Sequence, residues 1–224
     1  MDKNGLMVEP EFENTSKYLR AGEMTSVTDS IKKIAEKIDG NTEGMILRKI
    51  VLWIHQNTVR LKSPKDERKF KRTASEILLS GERTGCCDTA TLFTAIARAK
   101  EIPTMQIITF NKTWGKDFEK GVSKGTIGHY FVASYIKDIN GKANWTLLDP
   151  DRYVADLRGV GLGHLNEEDR NISNNYYAFA YVNDYRDVET EGMKIDSISN
   201  MGRIQEKAYR ECNKKDLIEK EYER

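Results

Sequence analysis

Apolar residues recur at helical spacing through the first half of the chain and at strand-like spacing through much of the second. Ile31, Ile34, Ala35 and Ile38 predict a helix, with Ser26 or Thr28 placed to cap it and Gly40 to stop it. A second run follows Asn41 and Thr42, carrying Ile46, Leu47, Ile50, Val51, Trp53 and Ile54 before it gives out near Asn57. Its breadth predicts burial on more than one side. Thr73-Ala74-Ser75-Glu76 fits a capping box and opens a short helix through Ile77, Leu78 and Leu79, ended by Gly81. From Cys86 the period is helical again, with Ala90, Phe93 and Ala97 on one face, Leu92 and Ile96 beside it, and Pro103 closing the segment. Beyond Pro103, Met105 to Phe110, Tyr130 to Ile136, Trp145 to Leu148 and Tyr176 to Val182 read as strands, and Asn140-Gly141 marks a hairpin. Helices first and an antiparallel sheet second make the fold class α+β.

Two ends flank this pattern. Residues 1–23 show no period and read as an N-terminal arm. Residues 184–224 are highly charged, with Ile195, Ile198, Ile204 and Ala208 spaced for one helix that packs on the domain and frays at Lys214 to Arg224. The domain proper is expected over 24–183, and 224 residues suit one core with such appendages.

Charge narrows the field of partners. Lys plus Arg (36) against Asp plus Glu (35) leaves a formal +1, so no global field draws the chain to nucleic acid or an anionic membrane. The basic run Lys65 to Arg72 reads as a solvated face. No stretch has the length of an apolar span, and Met1 to Glu13 lack the layout of a signal peptide. Three cysteines, two of them adjacent, make a poor disulfide framework and suit a reducing compartment, so a cytoplasmic location is expected.

Those cysteines also bear on chemistry. A thiol at Cys86 lies where a helix begins, among unpaired backbone N–H groups and the positive end of the macrodipole, which favour a thiolate. The plainer reading makes Cys86 and Cys87 small buried hydrophobes. A cysteine nucleophile needs a base and a third group to steady it. Of the three histidines, His55 lies in a buried-looking helix and His164 in the glycine-rich loop Gly159 to Leu165. His129 opens the strand Tyr130 to Ile136, and Asp149 ends the next strand, so an antiparallel pair can set the carboxylate beside the imidazole. Taken singly, His129 reads as a strand-edge residue and Asp149 as a turn former in Asp149-Pro150-Asp151. Zinc is a weak alternative, because adjacent cysteines lack the spacing that points two thiolates at one ion and no second pair exists.

The stretch Thr84-Gly85-Cys86-Cys87-Asp88-Thr89-Ala90-Thr91-Leu92-Phe93, running on through Arg98 to Ile102-Pro103, resembles the nucleophile helix of the transglutaminase-like superfamily. Asn144-Trp145-Thr146-Leu147-Leu148-Asp149-Pro150 resembles its second hallmark, a tryptophan on a strand ending in Asp-Pro, and His129 falls where the family histidine falls. The likeness runs over roughly 40 to 155, with the order Cys, His, Asp kept. It departs from the pattern at Thr84 and Gly85, where the usual glycine is displaced by one, at Glu101 in place of the glycine before Ile-Pro, and at Phe131 in place of a common tryptophan.

The resemblance implies a papain-like fold with the nucleophile at a helix N-terminus. It selects Cys86 over Cys87, because Cys86 has Ala90 four residues on. The implied catalytic residues are Cys86, His129 and Asp149, acting on an amide carbonyl through a thioester without a cofactor or metal. The expected substrate is a protein, peptide or other amide, and hydrolysis is expected over cross-linking to an amine acceptor, since no acidic calcium loop or extra β-domain is evident. The third possibility is a non-catalytic peptide-binding or scaffold module on the same fold. Trp53 and Gln56 are weak candidates for a second oxyanion donor. Specificity is expected from the loops Asn111 to Gly128 and Asp151 to Asn175, with Trp114 and Phe118 as possible substrate contacts.

Overall fold

The computed structural model describes residues 7–62, 66–120, 128–138, 140–152, 161–165, 170–173 and 175–222. Four helices come first. Helix α1 (Asp29–Ala35) starts after Thr28 but ends at Ala35, short of Gly40. The Thr28 hydroxyl bonds those of Ser30 and Ser75 and caps no backbone group, which ties α1 to the start of α3 (Ala74–Ser80). Between them, α2 (Glu43–Asn57) is capped by Thr42, whose hydroxyl accepts from the Met45 N–H. Helix α3 has the capping box expected of Thr73 and Glu76, and Gly81 ends it at φ 63°, a left-handed conformation that glycine adopts without strain.

Short parallel strands β1 (Val59–Arg60) and β2 (Glu82–Arg83) clip the ends of α2 and α3 together. They lead to α4 (Cys86–Ala99), in which every residue from Cys87 to Arg98 is buried. The sequence shows an apolar face on this helix; its remaining side is also enclosed, which is why Thr89, Thr91 and Thr94 are small and buried there.

Six strands form one antiparallel sheet: β3 (Thr104–Asn111), β4 (Tyr130–Lys137), β5 (Ala143–Leu148), β6 (Gly161–His164), β7 (Asn171–Ser173) and β8 (Tyr176–Val182). The order across it is β6-β5-β4-β3-β8-β7. The β4–β5 hairpin turns at Gly141, φ 79°, as Asn140-Gly141 predicts. The short edge strands β6 and β7 lie where the sequence suggests only a loop. So does α5 (Lys112–Glu119), started by the Asn111 side chain, whose oxygen accepts from the N–H groups of Thr113 and Trp114.

Alternation sorts the sheet into two faces. Ile108, Phe110, Tyr130, Val132, Leu148 and Phe179 join the helices in the larger core. Met105, Ile107, Phe131, Ala133, Trp145 and Tyr181 form a second cluster on the other side, closed by Tyr18 and Phe12. The N-terminal segment is therefore a cover: Val8 bridges to Ala180, Trp145 Nε1 donates to the Phe12 carbonyl, and Tyr18 meets Trp145 edge-on at 5.2 Å. Buried Arg98 pins this cover to α4, donating to the carbonyls of Tyr18, Thr104 and Asn183. Burial pulls its pKa down to about 10.

After β8, the Asp184 carboxylate accepts from the N–H groups of Met24 and Thr25. The hairpin β9 (Glu189–Thr190) and β10 (Met193–Lys194) then leads into α6 (Ile198–Tyr222). Ile195, Ile204 and Ala208 are buried as their spacing suggests, and the helical backbone runs past Lys214, where fraying is expected. No helix among the described residues is long and apolar enough to cross a membrane.

Candidate active site

Three separate elements converge on the start of α4. Its first residue is Cys86, partly exposed, with Gly85 at the cap. Asp88 holds the approach to it: its carboxylate accepts from the Thr84 N–H at 2.7 Å and from the Thr84 hydroxyl at 2.8 Å, and pairs with Arg72. A threonine in place of the usual glycine thus contributes a hydroxyl to a buried anchor. Arg72 also neutralises a carboxylate that would otherwise oppose a thiolate nearby.

Cys87 points the other way, into the core, at 3% exposure. Burial pushes its thiol well up, reinforced by Asp88 and Cys86. Burial thus disfavours the thiolate, the nucleophilic form, at Cys87.

His129 and Asp149 come from the sheet. Continuing the β4–β5 register beyond Val132 and Leu148 sets Asp149 opposite Phe131, hence diagonal to His129 on the same face. His129 Nε2 lies 2.8 Å from both carboxylate oxygens. The Cys86 thiol lies close enough to the imidazole to raise its pKa. Burial works to depress the His129 pKa, but bonds to Asp149 and Cys86 and their charges outweigh it and hold the pKa up at about 10. The ring is further fixed by Phe131, edge-on at 4.7 Å, and by Tyr176 at 5.5 Å.

A second set of contacts, which the sequence reading treated only as a turn, locks the sheet to α4. Asp151 accepts from Thr89 at 2.8 Å and pairs with Arg60 at 2.9 Å and buried Arg83 at 3.3 Å. Burial would raise the Asp151 pKa, but the bonds from Arg60 and Thr89 bring it down. Its backbone N–H donates to Asp149 at 3.2 Å, so the residue steadying the imidazole is itself tied to the first turn of the cysteine helix. His55 belongs to this lock, donating from Nε2 to the Pro150 carbonyl at 2.9 Å. The neighbouring Arg152 reaches Asp149 from the solvent side at 3.4 Å.

Beside Cys86 lies a cavity of about 120 Å³, lined by Phe70, Gly85, Tyr130 and Gly128, and by Met201 and Gln205 of α6. The sequence reading gave α6 no part in the site. A larger cavity of about 230 Å³ lies on the opposite face of the sheet, bordered by Phe12, Tyr135, Trp145, His164 and Leu165. It holds no cysteine, and His164 is exposed there, away from Cys86. Trp53 packs against the helical core and Gln56 is exposed. Trp114 is buried at 3% and so pins α5 to the domain, while the Phe118 side chain lies outside the described residues. Among the described residues no group of three or more His, Cys, Asp or Glu side chains is disposed to hold a metal ion.

Comparison with known proteins bears on the fold and the family. A solved structure from Cytophaga hutchinsonii, named as a candidate cysteine protease, is similar in fold, with a TM-score of 0.52 and 19% identity. The match covers 82% of this chain and 53% of that one, so the chain spans about half the length of that protein. No curated protein matches the chain. Residues 32–150, more than half of the 224, match the family model described as the transglutaminase-like superfamily. With that match laid over the cysteine helix and the two strands bearing His129 and Asp149, the chain belongs to the transglutaminase-like superfamily.

Proposed function

We propose that the protein is a cysteine amidohydrolase of the protease type, with Cys86 as nucleophile, His129 as acid and base, and Asp149 as the group that orients and charges the imidazole. One observation carries the reading: buried His129 lies 2.8 Å from the Asp149 carboxylate and close enough to Cys86 for the thiol to raise its pKa, although the three residues come from distant parts of the sequence. A purely structural histidine needs neither a partly exposed thiol nor an adjoining cavity. The name of the Cytophaga hutchinsonii protein is in keeping with hydrolysis.

The reaction follows from that ion pair. The Cys86 thiolate attacks the amide carbonyl carbon, and the oxyanion that forms takes a hydrogen bond from the Cys86 backbone N–H at the helix start. As the carbon–nitrogen bond breaks, protonated His129 gives its proton to the departing amine, leaving a thioester on Cys86. Water then attacks the thioester carbon while neutral His129 takes its proton. The carbon–sulfur bond breaks, releasing a carboxylic acid and restoring the thiolate–imidazolium pair.

Two measurements test this. Low iodoacetamide at neutral pH should alkylate Cys86 stoichiometrically and faster than free cysteine, the reaction vanishing in Cys86→Ala but surviving in Cys87→Ala. Incubation with a glutamine peptide and a labelled amine should give hydrolysis in excess of amine incorporation. The reverse ratio would replace hydrolysis by cross-linking, and a thiol no more reactive than free cysteine would leave a binding module.

A further inference from the structure

The cavity beside Cys86 has one wall that lies outside the matched family region. Met201 and Gln205, four residues apart on one face of α6, line it at 2% and 0% exposure. Both are fastened to the strands that carry the imidazole. The Tyr130 hydroxyl, next in sequence to His129, donates to Met201 Sδ at 3.7 Å. Gln205 Nε2 donates to the Thr109 carbonyl at 3.2 Å, and Thr109 in turn exchanges hydrogen bonds with the His129 backbone. Gly128 makes the approach possible: a Cβ there would stand 2.1 Å from Gln205 Nε2 and 2.2 Å from the Thr109 carbonyl oxygen.

We infer that α6 builds the acyl-side specificity pocket of the enzyme, with Met201 setting its depth, and that the preferred substrate carries a small aliphatic side chain next to the scissile carbonyl. The inference rests on Cys86 being the nucleophile proposed above. Size decides the class. An apolar cavity of about 150 Å³ accommodates benzene, and this one, at about 120 Å³, is smaller. Its walls are largely apolar, from Phe70, Tyr130 and Met201, with Lys69 as the one charged side chain, so an alanine- or valine-sized group fits. The Tyr130 and Thr109 bonds hold the wall in place, so the pocket discriminates by shape.

The test uses N-acetyl chloromethyl ketones of alanine, valine and phenylalanine, in which the Cys86 thiolate displaces chloride to form a thioether that intact-mass spectrometry counts. With each rate divided by that of free cysteine, the wild-type protein should favour valine over phenylalanine by about tenfold or more, the size of effect a few misfitting carbons produce. Met201→Ala should erase that preference, and Met201→Phe should extend the exclusion to valine while alanine still reacts. The same valine-to-phenylalanine ratio in wild type and both variants would overturn the inference with the nucleophile still standing. Should Met201→Ala fail to fold, the valine-to-alanine ratio of Met201→Phe decides alone. Iodoacetamide reacting with wild-type Cys86 no faster than with free cysteine would instead remove the proposed function, and this inference with it.

Discussion

His129 and His164 both border the sheet, yet their surroundings differ. His129, packed on Phe131 and Tyr176, is buried and meets both oxygens of Asp149. His164 is exposed at the rim of the roomier cavity, beside Phe12, Tyr135 and Trp145. Volume therefore does not distinguish the proposed site. What distinguishes it is a titratable group whose proton is held by specific neighbours, backed by the Asp151, Arg83 and Thr89 lock beneath.

Substitutions around the two histidines should separate accordingly. Cys86→Ala should reduce hydrolysis by more than about a thousandfold, read by product release, because nothing else supplies the nucleophile. Asp149→Ala should cost roughly 10²–10⁴-fold in kcat/KM, and its pH profile provides the sharper check. With the His129 pKa held up at about 10, the wild-type alkaline limb should lie near that value, and removing the carboxylate should move the limb downward towards the ordinary histidine range. Stability obeys the same sign. A raised folded-state pKa contributes stability that is complete below the unfolded value of about 6.5 and is lost as pH rises towards about 10, so denaturant midpoints should fall across that window in wild type and less in Asp149→Ala.

The surroundings of His164 and Trp145 should respond in stability alone. Trp145→Ala empties the centre of the second cluster and should cost about 3–5 kcal/mol in a urea melt, while kcat/KM per folded molecule stays unchanged. His164→Ala should lie within about 0.5 kcal/mol of wild type and leave the rate untouched. A rate loss in His164→Ala would mean that the two places are coupled.

Much of the helical half was legible because its signals are local. Thr42, the Thr73–Glu76 box and Gly81 each act within a turn, and the structure uses all three as the sequence implies. The main strands were legible by alternation, and continuing the hairpin register brings His129 and Asp149 together. Elements without an apolar rhythm were not legible. Strand β6 is Gly-Leu-Gly-His, β7 has three residues, and α5 depends on one Asn111 side chain. In α6 the informative positions, Met201, Ile204, Gln205 and Ala208, do form a helical stripe, but a glutamine inside it and charges around it disguise the face. Asp151 was hidden for another reason: its partners Arg60, Arg83 and Thr89 are distant in sequence, and only folding brings them together.

The strand order has a consequence for timing. β3 lies between β4, which follows it after α5, and β8, whose residues come near position 180. Loop closure over such a span is entropically costly and tends to slow folding. During synthesis, a nascent chain can possess its thiol, imidazole and carboxylate long before the ribosome has released the strand and the helix that enclose them. Assembly of the three side chains should thus wait until β8 and α6 have left the ribosome.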